Sequence, residues 1–284
     1  MPEDTSDRMT AAIAGEMNRT AGAPASALRR NFNLTRELAW TQFKLKYTGS
    51  VLGYLWSLVK PAMLFTIMYA IFVVFFHQRA NEFPLQLLVA IVVFTFFTEC
   101  VGAGLVSIAT SGHLIRKAFF PRVILVLASS MSAAMTFVIN FALIVAVATP
   151  LGHLHLGLRS LVVIPLIAEL YILALGLALL LAALYVFYRD LSHIWEIVSQ
   201  VLFYASAIVY PITTVPARFL GLFFISPLAQ IIEDVRHAIV VPDAGWTASY
   251  VGPRVLIPIG ISFALLGVGW LVFHRLSPVF AENL

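Results

Sequence analysis

The apolar residues of this chain are gathered into long runs separated by short polar segments. A helix that crosses a bilayer needs about 20 mostly apolar residues, because its backbone must satisfy its own hydrogen bonds within the lipid. Six runs approach or exceed this length. They cover residues 54–76, 85–107, 123–149, 160–187, 194–210 and 255–273. The pattern therefore predicts an all-α integral membrane protein with six transmembrane helices, which places both chain ends on the same side.

Residues 211–253, between the last two predicted spans, do not fit a simple crossing. The segment holds two short apolar pieces that begin near Pro216 and Pro227, and proline suits a first helical turn. In the second piece the apolar positions share one helical face, while Glu233 and Arg236 lie off it. We predict two short re-entrant outer helices that lie above the bundle. The alternative is an ordinary extracellular loop with Glu233 and Arg236 on its solvated face.

Composition and charge support the membrane assignment and orient the chain. Hydrophobic residues make up 61% of the 284 residues and charged residues only 11%, against about 25% charged in soluble domains. Most of the 18 Lys and Arg residues lie before or within the start of the first span, or after the second, fourth and sixth spans. Cytoplasmic loops collect such an excess, so both termini of this multi-pass cell-membrane protein are predicted to be cytoplasmic. Residues 1–30 are polar, lack the apolar core of a signal peptide and are interpreted as a mobile cytoplasmic tail.

Three polar residues lie inside the predicted spans and are candidates for intramembrane function. Glu99 and Glu169 fall in spans two and four, and Asn140 falls in span three. Neither acid has an obvious basic partner within its own span. Each either forms a hydrogen bond between helices, lines a wet path or carries a proton, and the first two roles are favoured. Asn140 is interpreted as a packing hydrogen bond.

The sequence contains no legible catalytic or metal-binding constellation. The single cysteine, Cys100, excludes an internal disulfide, and His153 and His155 have no carboxylate or cysteine beside them. A P-loop is also missing, so the chain is not expected to bind or hydrolyse ATP by itself. We therefore predict no catalytic residue, no metal and no cofactor in this chain.

Aromatic residues give the clearest positive signal. Four of them in the first span follow the i, i+4, i+7, i+11 spacing of one helical face, and the second span adds two more. This set either faces lipid or lines a channel, and such a channel would offer a sliding sugar polymer many weak contacts. The predicted channel residues are Phe65, Tyr69, Phe72, Phe76, Phe94 and Phe97.

Four stretches resemble one family of transporters. They are residues 36–76, which begin RELAWTQFKLKYTGSV, and residues 115–130, 210–216 and 226–239. Residues 31–284 resemble the transmembrane domain of an ABC-2-type permease, specifically the polysaccharide-exporting branch that includes O-antigen and teichoic acid exporters. Within that branch, the sequence looks most similar to the galactan exporters of mycolic-acid bacteria.

This resemblance implies partners, a cargo and roles for several segments. The permease would form a homodimer and pair with two copies of a separate P-loop nucleotide-binding subunit, which holds ATP and Mg. Residues 35–47 would form an amphipathic interface helix, and residues 111–122 a cytoplasmic coupling segment. A lipid-linked polysaccharide would pass between the two copies and leave through an outer gate at residues 211–253, and no nucleic-acid partner is expected. The expected ATPase-coupling residues are Arg36, Lys44, Lys46, Arg116, Lys117, Phe119, Phe120 and Arg122, and the expected gate residues are Pro216, Pro227, Glu233 and Arg236.

Three other functions compete with this one. An ABC-2 exporter of drugs or small lipids keeps the fold and changes the cargo. An ion-coupled secondary transporter would use Glu99 or Glu169, although such proteins often contain internal repeats and none is visible here. An integral membrane transferase would need a cluster of polar catalytic residues at one membrane face, and the loops are too sparse to supply it.

Overall fold

A computed structural model describes residues 24–50, 52–75, 83–112, 120–150, 154–210, 212–241 and 245–280. Within these ranges the chain is helical and contains no β-strand. A π-helical turn, Ala70–Phe75, extends α2. The α-helices are α1 (Pro24–Tyr47), α2 (Leu55–Tyr69), α3 (Phe83–Thr110), α4 (Val123–Ala148), α5 (Val163–Tyr185), α6 (Leu191–Ala205), α7 (Ala217–Phe223), α8 (Pro227–Ile239), α9 (Thr247–Val251) and α10 (Leu256–Leu276).

Five helical segments in the described ranges are long and apolar enough to cross a membrane. They contain α2, α3, α4, α5 and α10, and each overlaps a predicted span, so the prediction of an all-α membrane protein is confirmed. The fifth predicted span, 194–210, is not confirmed. Its helix, α6, has only 15 residues and ends at Ala205, because the chain then turns through Ala207, whose φ of 51° lies in the left-handed region.

The bundle is built around α3. In the most apolar 18-residue stretch of α3, 67% of the residues are buried, whereas in the corresponding stretch of α2 only 6% are. Helices α4 and α5 both pack along α3, and α10 packs along α5. The first predicted span therefore lies at the edge of a single chain, with most of its apolar surface uncovered.

Close packing of α5 against α10 depends on two glycines. A Cβ atom added to Gly269 would overlap the carbonyl oxygen of Gly176, and one added to Gly176 would overlap the backbone at Leu266. Small residues allow membrane helices to approach in this way, because backbone contacts replace the side-chain layer. These two helices consequently form a tight pair on the side of the bundle away from α2.

Helix α1 lies against α4 and is longer than predicted. It begins at Pro24 rather than near residue 35, so residues 24–30, assigned to the mobile tail, are helical here. Proline fits the first turn of a helix, and the following residues, Ala-Ser-Ala-Leu-Arg-Arg, mostly favour helix. Its buried side chains, spaced four residues apart, are Thr35, Ala39, Phe43 and Tyr47.

The segment between the last two predicted spans contains three short helices, α7, α8 and α9. Every residue of α8 after Pro227 is buried, including Glu233 and Arg236, because α8 packs against α3, α5 and α10. The alternative of a solvated loop face for these two residues is therefore wrong. Short helices do occupy the predicted positions, and their re-entrant placement in the membrane stays a prediction.

Candidate functional site: a cleft between α2, α3 and α6

A cleft of about 880 Å³ opens between α2, α3 and α6, beside the end of α1. We call it the α2–α3–α6 cleft. Its wall combines aromatic rings with small hydroxyl and amide side chains. The aromatic residues are Tyr47, Trp56, Phe94, Trp195, Phe203 and Tyr204, and the polar uncharged residues are Ser57, Thr95, Thr98, Ser199 and Gln200.

The aromatic rings of the cleft are held by ring contacts between α3 and α6. Phe94 meets Phe203 edge-on with ring centroids 5.2 Å apart. Phe97 lies behind the wall and meets Trp195 edge-on at 5.9 Å. Such pairs each contribute about 0.5–1.5 kcal/mol beyond area burial. These two contacts fix the faces of α6 that point into the cleft.

Charged residues of both signs meet in the same cleft. Lys46, near the end of α1, forms an ion pair with Glu99 in the middle of α3. Burial and the nearby ammonium of Lys60 lower the pKa of Lys46 to about 8, while the Glu99 carboxylate favours the charged lysine. Glu196 also lines the cleft. The basic partner that span two lacks is thus supplied by a helix about 50 residues earlier in the chain.

The predicted aromatic stripe of the first span lies mostly outside this cleft. The residues of α2 that line the cleft are instead Trp56, Ser57, Lys60, Pro61, Leu64 and Met68. Phe65 and Tyr69 contact each other at 5.7 Å, and Phe72 contacts Phe83 of α3 at 6.4 Å. Phe94 lines the cleft, and Phe76 lies outside the described residues. The role of the stripe in a channel stays a prediction.

The described residues that are predicted to couple to an ATPase lie on α1 and just before α4. Arg36 pairs with Glu37 on the exposed face of α1, and the Lys44 ammonium lies 5.0 Å from the centre of the Trp40 ring. Phe120 packs beside the core formed by α3, α4, α5 and α10. Arg122 lies over the Phe280 ring at 5.9 Å, whereas Arg116, Lys117 and Phe119 fall outside the described residues.

At the opposite end, Arg236 of α8 joins the start of α3 and the turn after α6. Its guanidinium donates hydrogen bonds to the backbone carbonyls of Gln86 at 3.0 Å, Ala207 at 2.8 Å and Ile208 at 2.7 Å. It also donates to the Glu233 carboxylate at 3.3 Å. Burial raises the pKa of Glu233, and the charge of Arg236 opposes that rise. We call this set the Arg236 clamp, because it ties the start of α3 and the turn after α6 to α8.

The remaining gate residues begin or border short helices. Pro216 immediately precedes α7, and Pro227 is the first residue of α8. Near the end of α8, His237 meets Trp246 edge-on at 4.3 Å. Burial and the positive charge of Arg159 lower the pKa of His237. No gating role follows from these contacts alone.

Two intramembrane polar residues pair across helices. Asn140 of α4 donates a hydrogen bond to the carbonyl of Ser57 at 3.2 Å and accepts one from its hydroxyl at 3.2 Å. The hydroxyl of Ser262 in α10 donates to Glu169 of α5 at 3.4 Å. Both contacts tie neighbouring helices together, as buried polar groups in a membrane protein require.

Sequence reasoning missed the contribution of α6 to the cleft. Trp195, Ser199 and Phe203 recur every four residues and line one side of it. This spacing in the sequence indicates a helical face that carries both aromatic and polar side chains. The interpretation of the segment as a transmembrane span alone did not use it.

Comparisons with known proteins agree on one family. The ABC-2 type transporter family profile matches residues 33–240. The chain is 27% identical over 254 residues to the O-antigen export system permease protein RfbA of Klebsiella pneumoniae. This alignment covers 89% of this chain and 95% of that protein. A protein of the same name from Myxococcus xanthus is 25% identical over 256 residues, 87% of this chain and 94% of that protein. The polysialic acid transport protein KpsM of Escherichia coli is 21% identical over 218 residues, which are 75% of this chain and 84% of that protein.

These matches fit the five membrane-crossing helices of the structure. The family profile alone covers more than two thirds of the chain, from α1 to the end of α8. The protein is therefore an integral membrane protein that belongs to the ABC-2 type transporter family.

Proposed function

We propose that this chain is the permease subunit of an ATP-driven exporter that moves a lipid-linked polysaccharide from the cytoplasm to the outer face of the cell membrane. The observation that carries the proposal is the α2–α3–α6 cleft, with its aromatic and small polar lining. Relatives of this chain are named for O-antigen export and polysialic acid transport, which supports a carbohydrate polymer as the cargo.

The lining of the cleft suits a sugar chain better than a small apolar cargo. Aromatic faces contact the C–H faces of sugar rings, while hydroxyl and amide groups such as Ser199 and Gln200 exchange hydrogen bonds with sugar hydroxyls. Charges of both signs are present, so no single charged group dominates. A polymer that slides needs many weak and equivalent contacts, as in multi-site conduction. Galactan is the specific cargo that we propose.

A single chain leaves the cleft open beside α2, whose apolar surface is mostly uncovered. We propose that a second copy of the chain closes the passage, so that the working permease is a homodimer. Two copies of a P-loop subunit would bind ATP and Mg and would dock at the basic end of the bundle, formed by α1 and residues 111–122. That end would be cytoplasmic, with both termini, because cytoplasmic loops collect Lys and Arg.

In this mechanism, ATP binding closes the ATPase pair and pushes on α1 and on the segment before α4. The two permease copies then shift, the passage opens, and the polymer threads outward. The helices α7 and α8, at the opposite end from α1, would form the outer gate. The tie between α1 and the cleft is the Lys46–Glu99 ion pair, which connects the pushed helix directly to a cleft wall.

The test is transport of radiolabelled lipid-linked galactan into proteoliposomes that contain the permease and its ATPase partner. Trp195→Ala removes a cleft ring, and we expect export to fall by roughly tenfold or more, which corresponds to about 1.4 kcal/mol of lost interaction. Phe263→Ala is the matched control, because Phe263 is a 55% exposed aromatic residue on α10, away from the cleft. Its export should stay near the unmodified rate.

Three results would point elsewhere. Equal export by both variants would remove the cleft from the transport path. Uptake driven by an ion gradient without ATP would favour a secondary transporter that uses Glu99 or Glu169. Transport of a small lipid or drug with no activity toward galactan would keep the ABC-2 fold and replace the polymer as cargo.

A further inference from the structure

A second concave surface lies outside the α2–α3–α6 cleft, between the start of α4 and the end of α10. Two adjoining depressions of about 250 and 400 Å³ share Trp270 and His274. The first also contains Arg122, immediately before α4, and the second contains Arg275. We call this surface the α4–α10 groove. None of its lining residues belongs to the cleft.

The groove is basic. Arg122 and Arg275 line it together with His274, and no acidic residue is among the described residues that line it. Basic side chains in the last turn of a helix are favoured by the helix dipole, which accounts for His274 and Arg275 on α10. The dipole of α10 does not account for Arg122, which lies immediately before α4 and is held over the Phe280 ring.

The groove also lies where lipid would contact the protein. In the most apolar 18-residue stretch of the segment that contains α10, only 17% of the residues are buried, and Trp270 is 51% exposed. Tryptophan is enriched at the boundary between lipid tails and headgroups. A basic pocket between transmembrane helices at the cytoplasmic boundary is the kind of site that binds anionic lipid headgroups.

We infer that the α4–α10 groove binds one anionic glycerophospholipid. Its headgroup phosphate lies between Arg122 and Arg275, and its acyl chains lie along the exposed apolar face of α10, where Leu271 and Val268 are each about half exposed. Charge complementarity selects this occupant over a neutral lipid. Since the groove is separate from the cleft, the inference holds whether or not the cleft transports a polysaccharide.

The experiment measures lipid binding to the purified full-length permease by native mass spectrometry. Phosphatidylglycerol and phosphatidylcholine with identical acyl chains are titrated separately, and the dissociation constant of the first bound lipid is obtained for each. We expect preference for phosphatidylglycerol, and about fivefold weaker binding of it for each arginine replaced in Arg122→Gln and Arg275→Gln. Phosphatidylcholine binding should not change.

Arg189→Gln is the matched control, because its guanidinium also lies over an aromatic ring, that of Tyr185 at 5.2 Å, but outside the groove. An equal loss in this variant would mean general attraction to a basic surface and would overturn the site. Equal binding of the two lipids would overturn it as well. A groove that prefers polyprenyl phosphate to phosphatidylglycerol would be a site for the lipid carrier instead. If Arg122→Gln does not fold, the exposed Arg275→Gln carries the test alone.

Discussion

Replacing Arg236 with methionine should strongly destabilise the fold. Arg236 is 2% exposed, and methionine keeps a flexible unbranched stem while removing the guanidinium. The change leaves the Glu233 carboxylate buried without its cation. It also removes the donors to the carbonyls of Gln86, Ala207 and Ile208.

The size of the effect follows from these losses. Breaking a buried ion pair by removing one partner costs about 3–5 kcal/mol, because an uncompensated charge remains. Each carbonyl left without a donor adds up to about 1–3 kcal/mol unless water replaces the guanidinium. Water can enter the vacated space, so we expect a total loss near the ion-pair range, about 3–5 kcal/mol of unfolding free energy.

The assay is equilibrium unfolding of the purified protein in mixed micelles, with sodium dodecyl sulfate as denaturant. Arg218→Met is the matched control, since Arg218 lies over Phe219 on the exposed side of α7 and should change stability by only about 0.5 kcal/mol. Combining Arg236→Met with Glu233→Gln removes the stranded carboxylate. That pair should therefore lose less stability than Arg236→Met alone. A loss below about 1 kcal/mol for Arg236→Met would refute the clamp as a stabilising element.

Two further predictions use the same unfolding assay. Gly269→Ala should lower the free energy of unfolding by about 1–3 kcal/mol, because the added methyl group overpacks against Gly176. Gly267→Ala on the same helix is the control: its methyl group meets open space, so stability should be unchanged or slightly higher. Equal effects of the two variants would contradict the close approach of α5 and α10. Burial and the charge of Arg159 lower the pKa of His237 from its usual 6.5, so below about pH 6.5 the unfolded chain takes up a proton that the folded chain does not. The free energy of unfolding should therefore fall as the pH drops from 7 to 5, by at most about 1.4 kcal/mol per pH unit. His237→Phe should reduce this pH dependence. An unchanged dependence in the variant would assign it to other groups.

The main architecture was predictable because it depends on local patterns. Long apolar runs predicted α2, α3, α4, α5 and α10 to within a few residues at most of their ends, since the bilayer sets the length of a crossing helix. The end of α6 was not predictable in this way. Its apolar run continues to Tyr210, but the helix stops at Ala205, and the carbonyls of the turn that follows accept hydrogen bonds from Arg236, about 30 residues later.

The candidate site was predicted less completely than the fold. Helical spacing groups Phe65, Tyr69 and Phe72 on one face of the first predicted span, but spacing cannot tell which face meets α3 and α6. Residues on another face, from Trp56 to Met68, line the cleft instead. Likewise, the sequence indicates Glu99 as an intramembrane acid, while its partner Lys46 belongs to a helix to which the family resemblance assigns only ATPase coupling.

Two of the long-range polar ties in the described ranges end on α3, beside the cleft. Lys46 ties α1 to Glu99 in the middle of α3, and the Arg236 clamp ties α8 and the turn after α6 to Gln86 near its start. Helix α3 is also the most buried membrane-crossing helix in the described ranges. In the proposed mechanism, the cleft would connect an ATPase at one end to a gate at the other, and a buried helix that is tied at both places suits that role. The cleft wall formed by Phe94, Thr98 and Glu99 therefore belongs to a helix that is tied both to α1 and to α8.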